Sequence, residues 1–406
     1  MIGRHLTAGA LVVVVAMAAG CSAGAPILAN PPAQRPSAPV PTPPPVAIAD
    51  PIAVELPGDD GAHDRLTEWW YYTGHLRSAD GHRFGFEYVI FRAERGAFPT
   101  TWASHLAITD ETAGTFHYGQ RLEVGEGVDR SRGGPDGRPA DRAGGRAGGF
   151  DLGLTGIDPT DPATFERTGW TMTGSAGTDR IEASLSRDEA VAAGIPQGMR
   201  LQLDLEAQKA AALHDRDGWI DFGPAGGSYY YSRTAMEAAG TIDVDGEAYD
   251  VTGVAWFDHQ WGDFISVGGG GWDWFAVNLD DGTDLTLSLV RDGDGSYPLV
   301  YGTVVDADGR TTHLDRDAFR VQVTDRWRSP TTGADYPAGW SIEIPSQTLQ
   351  IELRPTVAAQ ELDTRATTGV VYWEGSQLVR ATRAGQPISG QAYVELTGYA
   401  TTTATA

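Results

Sequence analysis

The stretch of sequence that decides the fold reads EWWYYTGHL and spans residues 68–76. Successive side chains of a β-strand point to opposite faces of the sheet, so this run has two faces with different chemistry. Period two places Glu68, Trp70 and Tyr72 on one face, and Trp69, Tyr71 and His75 on the other. An Asp-Gly pair at residues 80–81 and a second aromatic run at 84–91 follow, which predicts a β-hairpin.

The same pattern of alternating strands and tight turns continues along the chain. Further Asp-Gly pairs stand between apolar or alternating segments at residues 245–246, 281–282 and 308–309. Leu201–Leu205 and Leu285–Leu289 alternate leucine with polar residues, as half-buried strands do. Helical periodicity is limited to one or two turns at Asp188–Ala193. Regularly spaced strands with turn signals predict an all-β protein made of sandwiches or barrels.

The amino terminus has the pattern of an export signal. Arg4 supplies a positive charge, and residues 6–19 are mostly apolar but shorter than the roughly 20 residues that span a bilayer. Ala18-Ala19-Gly20-Cys21 then resembles a bacterial lipobox, so we predict a lipoprotein signal at 1–21 and lipidation of Cys21, the only cysteine. The alternative is ordinary cleavage after Ala25, which leaves a soluble protein.

Composition divides the rest of the chain. Residues 22–51 are rich in proline and predict an extended spacer, and residues 401–406 predict a frayed tail. Residues 125–149 mix Gly, Arg and Asp without an apolar period, which predicts a disordered surface insertion or, alternatively, a basic anion-binding loop. A chain of 406 residues is long enough for two domains between the spacer and the tail.

The charge balance excludes one class of partner. Acidic residues number 54 and basic residues 30, which gives a formal net charge of −24. Such a field repels phosphate backbones, and no basic stripe interrupts it. We therefore expect no nucleic-acid partner.

A second aromatic strand, residues 253–262, carries the candidates for chemistry. Period two places Trp256, Asp258 and Gln260 on one side, and Phe257, His259 and Trp261 on the other. A carboxylate flanked by tryptophans loses hydration, which raises its pKa and lets it hold a proton for general-acid catalysis. The alternative for Asp258 and His259 is a structural hydrogen bond to backbone at a strand end. Glu68 is a third candidate, although a glutamate that opens a strand is often exposed.

Four aromatic blocks occur in order along the chain: EWWYYTGH at 68–75, YYYS at 229–232, WFDHQWG at 256–262 and YVELTGY at 393–399. Together they resemble the AttH/hydroxyneurosporene-synthase family, which includes carotenoid 1,2-hydratases and many secreted proteins described as hydrolases. The resemblance spans residues 52–400 and implies two lipocalin-like antiparallel β-barrel domains packed side by side. On this basis we predict an N-terminal domain at 52–264 and a C-terminal domain at 265–400.

The resemblance also implies a site. The hydratases protonate an isoprenoid double bond and add water to the resulting cation, and His259 and Trp261 match their His-x-Trp element. They also use a downstream Tyr and Asp, but residues 272–278 contain no Tyr-x-Asp match. We predict Asp258 as the acid, assisted by His259, with Glu68 as a further catalytic candidate. The residues predicted to line the ligand pocket are Trp69, Trp70, Tyr72, His105, Tyr231, Trp256, Trp261 and Trp274.

Other chemistries lack their motifs. The sequence has no G-x-S-x-G elbow, no H-E-x-x-H and no paired Cys/His spacing, so it predicts neither a serine hydrolase nor a zinc site. The glycine run at 267–271 does not open a helix, so no nucleotide is expected and no cofactor is predicted.

Three functions stay open from the sequence. One is an envelope enzyme that hydrates or hydrolyses an apolar small molecule with acid assistance, and the second is a non-catalytic carrier of such a ligand. The third, an envelope scaffold, would require a filled interior and an exposed apolar patch. We expect a monomer whose partners are that ligand and, through the lipid anchor on the extracytoplasmic face, the membrane.

Overall fold

The computed structural model describes residues 50–131, 148–155, 169–265 and 270–400. The predicted signal at 1–21 with Cys21, nearly all of the spacer, residues 132–147 of the predicted insertion and the tail at 401–406 lie outside the described residues. In the described ranges, no helix has the length and apolar character needed to cross a membrane.

The first part of the chain forms one antiparallel sheet that curls into a nearly closed barrel. Its strands are β1 (Thr67–Ser78), β2 (Arg83–Ala93), β3 (Thr101–Asp110), β4 (Thr115–Val124), β5 (Phe150–Thr155), β6 (Gly169–Ser175), β7 (Thr178–Ser184), β8 (Met199–Ala207), β9 (Ala212–Leu213), β10 (Trp219–Asp221), β11 (Gly227–Val244) and β12 (Glu247–Gly262). They pair in the order β4-β3-β2-β1-β12-β11-β8-β7-β6-β5, and the short β9 and β10 also pair with β11.

The second part of the chain forms another antiparallel sheet, shaped as a half-barrel, beside the first. Its strands are β13 (Gly271–Leu279), β14 (Asp284–Arg291), β15 (Leu299–Val305), β16 (Thr311–Asp315), β17 (Arg320–Arg328), β18 (Asp335–Ile344), β19 (Leu349–Pro355), β20 (Glu361–Asp363), β21 (Val371–Arg383) and β22 (Gln386–Thr397). They pair in the order β16-β15-β14-β13-β22-β21-β19-β18-β17, and β20 pairs with β21. The predicted all-β class with two antiparallel units side by side is confirmed.

Helices are few in the described residues. The α-helix α1 (Arg187–Ala192) lies where a turn or two of helix was predicted, and Ser186 is its N-cap. Ser186 and Glu189 form a reciprocal capping box, which satisfies two otherwise unpaired backbone N–H groups. Four 3₁₀ turns complete the helical elements: Gly58–Asp60, Gly223–Ala225, Arg316–Ala318 and Pro345–Gln347.

The four predicted Asp-Gly turns are all confirmed as connections between paired strands. They join β1 to β2, β11 to β12, β13 to β14 and β15 to β16. The glycine of each pair has a φ between +79° and +90°. Glycine adopts this region without the steric penalty of a Cβ atom, which is why the Asp-Gly signal is reliable.

The strands β1 and β12 pair in the middle of the first sheet, and their side chains alternate between the barrel interior and the second sheet. Tyr71 lies opposite Asp258, and Trp70 lies opposite His259. Trp70 belongs to the barrel core, whereas Tyr71 belongs to a separate cluster that includes Trp274 of β13. The alternation predicted for both strands is therefore confirmed, with one face filling the barrel and the other meeting the second sheet.

The second sheet contains a strand that was predicted to be half-buried but is covered on both faces. Leu201–Leu205 is half-buried as predicted, because Asp204 on its outer face is exposed. The same prediction is wrong for Leu285–Leu289, where Thr286 and Ser288 are buried as well. Tyr301, opposite Ser288, packs with Tyr230 of the first sheet, so this outer face is covered.

Part of the predicted insertion belongs to the folded barrel. Val128 is fully buried in the barrel core, and the Arg130 N–H donates to the carbonyl of Asp151 in β5. The prediction of disorder is therefore wrong for residues 125–131, since this apolar side chain anchors them.

Candidate active site between the two sheets

A layer of aromatic and acidic side chains fills the space where the two sheets meet, and we call it the intersheet layer. Its members come from both sheets: Tyr71, Glu87, His105, Tyr230, Ser232, Trp256 and Asp258 from the first, and Trp272, Trp274, Tyr372, Glu374 and Glu395 from the second. The Trp274 ring lies 5.4 Å from Tyr71 and 6.2 Å from Trp256, both edge to face. These three rings are buried at the centre of the layer.

Asp258 is the most elaborately held acid in this layer, and only 3% of its surface is exposed. The Tyr230 hydroxyl donates to one carboxyl oxygen at 2.6 Å, and the Trp256 Nε1–H donates to the other at 2.7 Å. The Ser232 hydroxyl makes a third hydrogen bond. Burial raises the pKa of Asp258 to about 7, although these hydrogen bonds favour the charged form.

The hydrogen bonds of Asp258 continue into both sheets. Ser232 Oγ lies 2.7 Å from His214 Nε2, and His214 Nδ1 lies 2.9 Å from the hydroxyl of Thr303 in β15. On the other side, Trp274 Nε1–H donates to the Tyr230 hydroxyl at 3.0 Å. Burial lowers the pKa of His214 to about 3, so its imidazole is neutral and serves as a hydrogen-bond partner. Asp258 is therefore oriented by groups of both sheets.

Two more carboxyl groups, Glu87 and Glu374, are fully buried in the layer. Each accepts one hydrogen bond from a tyrosine hydroxyl: from Tyr372 at 2.9 Å and from Tyr71 at 2.8 Å, respectively. Burial raises the pKa of both carboxyls well above the ordinary value, and repulsion from Glu395 and then from Glu87 adds to the rise for Glu374. Their second oxygens have no hydrogen-bond partner in the described part of the chain. Those oxygens can carry a proton and donate it to a bound molecule.

Two side chains complete the chemistry of the layer. Glu395 is half-buried and accepts from Trp272 Nε1–H at 2.9 Å, and burial raises its pKa to about 7. His105 Nδ1 lies 2.7 Å from the Tyr372 hydroxyl, and burial lowers the pKa of this histidine to about 3. Among the described residues, neither Asp258 nor the three glutamates forms an ion pair. The layer is therefore an acidic site in which no described cation pairs with these four carboxyls.

A second cluster lies on the barrel face of the same strands. Glu68 Oε1 lies 2.7 Å from His63 Nδ1 and 3.0 Å from His259 Nε2. Glu68 is fully buried, so the expectation of an exposed strand-opening glutamate is wrong; the preceding residues fold over it. Burial raises the pKa of Glu68, but hydrogen bonds and charge from His63 and His259 outweigh burial and lower it to about 2.

A family model described as AttH-like matches residues 47–399. The chain belongs to the AttH-like family. A solved structure assigned as an AttH from Nitrosomonas europaea shares 30% identity with this AttH-like chain, covers 87% of it and 99% of the other, and superposes with a TM-score of 0.69. Kievitone hydratase from Nectria haematococca shares 15% identity over 87% of this chain and 94% of its own, with a TM-score of 0.60, which shows the same fold. No curated protein gives a significant match. The family resemblance of the aromatic blocks is thus confirmed.

The fold of the AttH-like chain divides the predicted site residues between the two faces. The intersheet layer receives Trp256, Asp258, Trp274 and His105. The barrel interior receives Glu68, Trp70, Tyr72, Tyr231, His259 and Trp261. Trp69 is half-buried at the edge of the layer, with Phe91 and Phe264 around it. Asp258 and His259 are adjacent in sequence, but the sheet separates their side chains, so His259 does not contact the predicted acid.

Several residues of the layer were missed by sequence reasoning. Tyr230, Ser232 and Glu395 lie within the aromatic blocks that carry the family resemblance, and this position was a usable signal. Glu87, His214 and Glu374 lie outside those blocks, and only the meeting of the two sheets brings them to the site.

The free energy of unfolding of this AttH-like protein should depend on pH through the protonation of Glu374. Because the pKa of Glu374 is raised in the folded state, wild-type stability falls as pH rises above the value near 4.5 of the unfolded chain. Glutamine does not titrate, so the stability of Glu374→Gln lacks this fall. The free energy of unfolding of the variant minus that of wild type should therefore be larger at pH 8 than at pH 5, by about 1–3 kcal/mol. Urea unfolding at both pH values measures this difference. The exposed Glu352→Gln should show no such dependence, and an equal result for both variants would contradict the prediction.

Proposed function

We propose that this AttH-like chain is an enzyme of the hydratase or hydrolase class that acts on an apolar small molecule in the intersheet layer. Asp258 is the general acid. The observation that carries the proposal is a buried carboxyl that accepts hydrogen bonds from Tyr230 and Trp256 and forms no ion pair with any described residue; burial raises its pKa to about 7. Such a group is half protonated near neutral pH, where general-acid catalysis is most effective.

The chemistry for hydration follows from the groups around Asp258. The carboxyl O–H breaks as its proton forms a C–H bond with one carbon of the double bond, and the other carbon becomes a cation. The aromatic rings of Trp256 and Trp274, which are hydrogen-bonded to Asp258 and Tyr230, stabilise that cation. Water then forms a C–O bond with the cation and returns a proton to the Asp258 carboxylate, so the net reaction adds one water. In a hydrolysis, the same proton goes to the oxygen of the leaving group.

The neighbours of Asp258 act as positioning residues. Tyr230 and Ser232 fix the carboxyl plane, and His214 fixes the Ser232 hydroxyl from the far side. Asp258 is almost completely covered, so a ligand reaches it only when side chains of the layer move apart. The shared fold of kievitone hydratase, a protein named for hydration, supports the reaction class by analogy.

A second function, a non-catalytic carrier of an apolar ligand, is favoured by one observation. The unpartnered oxygens of Glu87 and Glu374 could hydrogen-bond a polar group of a ligand without any reaction. Native mass spectrometry of the purified chain separates the two functions. A co-purified ligand that stays unchanged during incubation supports the carrier, whereas a ligand that gains water supports the enzyme.

Replacing the proposed acid gives the sharpest test. We expect Asp258→Asn to lower the rate at least about 100-fold, because an amide cannot transfer the proton, while the melting temperature stays close to wild type. The chain is incubated with a lipid and terpenoid extract in water labelled with oxygen-18, and mass spectrometry identifies labelled products. The wild-type rate should fall as pH rises through about 7, where Asp258 loses its proton.

The matched control is Asp204→Asn, an exposed aspartate of β8, which should keep the wild-type rate. Loss of the fold in Asp258→Asn would show that the aspartate is structural, and an unchanged rate would remove it from the mechanism.

Ser232 offers a test through the pH profile. Its hydrogen bond favours the charged form of Asp258, so Ser232→Ala should raise the pKa of that carboxyl. We expect the alkaline limb of kcat/KM to move to higher pH by about one pH unit. Ser104→Ala, which removes a hydrogen bond to the Val89 carbonyl, should leave the limb in place. A limb that does not move in Ser232→Ala means that another group titrates.

We further propose that the chain is exported and lipid-anchored through Cys21, as the lipobox pattern indicates. Cys21→Ala should move the protein from the detergent phase to the aqueous phase of a Triton X-114 extract of expressing bacteria. Equal partition of the variant and the wild type would favour ordinary cleavage after Ala25 instead.

A further inference from the structure

A cluster of two histidines and one glutamate lies inside the first barrel, on the opposite side of the sheet from the intersheet layer. We propose that His63, Glu68 and His259 form a binding site for one divalent transition-metal ion of the zinc type. Each residue offers one donor atom, and the three donor atoms all lie within 4.8 Å of one another. The three side chains come from the segment before β1, from β1 itself and from β12.

The donor geometry is close to that of a coordinated ion. Zinc binds imidazole nitrogen and carboxylate oxygen at about 2.0–2.1 Å, which places tetrahedral donors about 3.3 Å apart. Glu68 Oε1 lies 2.7 Å from His63 Nδ1 and 3.0 Å from His259 Nε2. An outward movement of about 0.3–0.6 Å therefore replaces the two hydrogen bonds by metal bonds. Sites with three protein ligands take water as the fourth ligand.

The surroundings hold the two imidazole rings in place. The Trp261 ring stacks on His63 with a centroid distance of 4.1 Å and an angle of 2°. Trp70 stacks on His259 at 4.7 Å and 24°. Asp59 Oδ1 lies 3.4 Å from His63 Nε2, the arrangement in which a carboxylate orients a metal-binding histidine through its other nitrogen. Ring orientation is thus set before an ion arrives, which lowers the cost of binding.

The charge around the cluster also suits a cation. Glu68 brings one negative charge to the donor set, and Asp59 lies close to His63, whereas the charge of the nearby Asp60 is paired with Arg233 at 2.7 Å. Arg92 opposes a cation, but its guanidinium lies 4.0 Å from the other oxygen, Glu68 Oε2, and takes no donor atom. Arg92 donates instead to the carbonyl of His63, which ties down the segment that supplies this ligand.

The chemical type of the donor atoms determines which metal ions the site prefers. Two imidazoles and one carboxylate suit zinc and other first-row transition ions, whereas magnesium and calcium prefer all-oxygen sites. No sequence motif marks this set, because four residues lie between His63 and Glu68 and the third ligand is far along the chain. Only the pairing of β1 with β12 brings the donors together.

The experiment uses the full chain without an affinity tag, stripped with EDTA and dialysed. Titration calorimetry with Zn²⁺ should give about one ion per chain, and Mg²⁺ should give no binding. His63→Gln should weaken Zn²⁺ binding by more than about 100-fold, since even supporting residues of metal sites cost 10- to 100-fold. The control is His117→Gln, a partly buried histidine of β4 outside the cluster, which should keep the wild-type affinity.

Cobalt(II) absorption of the wild-type chain gives a readout that needs no substitution. A four- or five-coordinate spectrum without thiolate charge transfer supports the nitrogen and oxygen donors and separates this site from Cys21. Absence of Zn²⁺ binding, or a Zn²⁺ affinity of His63→Gln equal to that of wild type, overturns the proposal. The cluster is then a structural set of hydrogen bonds inside the barrel. Neither readout uses turnover, so the result is independent of the function proposed for Asp258.

Discussion

The burial of Asp258, Glu87 and Glu374 between two sheets, with no cationic partner in the described part of the chain, is the constraint on which the proposed site depends. A buried, unpaired charge costs several kcal/mol, so these carboxyls hold their protons to higher pH than solvated carboxyls do. Tyrosine, serine and tryptophan donors orient them without forcing them to ionise. The layer therefore keeps acid groups available at neutral pH in an apolar space.

The strands β1 and β12 serve two regions at once. Because neighbouring residues of a strand face opposite ways, Asp258 enters the intersheet layer and His259 enters the barrel. The two regions differ in chemistry: the layer has no ion pairs among its described acids, whereas the barrel cluster combines a carboxylate with imidazoles and a nearby guanidinium. One sheet thus separates an acid site from a candidate metal site.

The second sheet is a functional partner of the first as well as its neighbour. Trp274 donates to Tyr230, and Thr303 contacts His214, so the orientation of Asp258 depends on residues of the second sheet. Glu374 is likewise held by Tyr71 of the first sheet. A single barrel of this kind would leave the same acids exposed to water and ionised at neutral pH.

The sequence by itself determined the strands, the hairpins, the family and the two faces of the aromatic blocks. Period-two alternation and Asp-Gly turns are local signals, so EWWYYTGHL and residues 256–262 were interpretable without coordinates. The tertiary structure alone decided which faces meet. It separated His259 from Asp258, buried Glu68, and brought Glu87, His214 and Glu374 to the site. The hydrogen bonds that join the two sheets at this site link residues 44 to 303 positions apart, and no local pattern encodes such pairs.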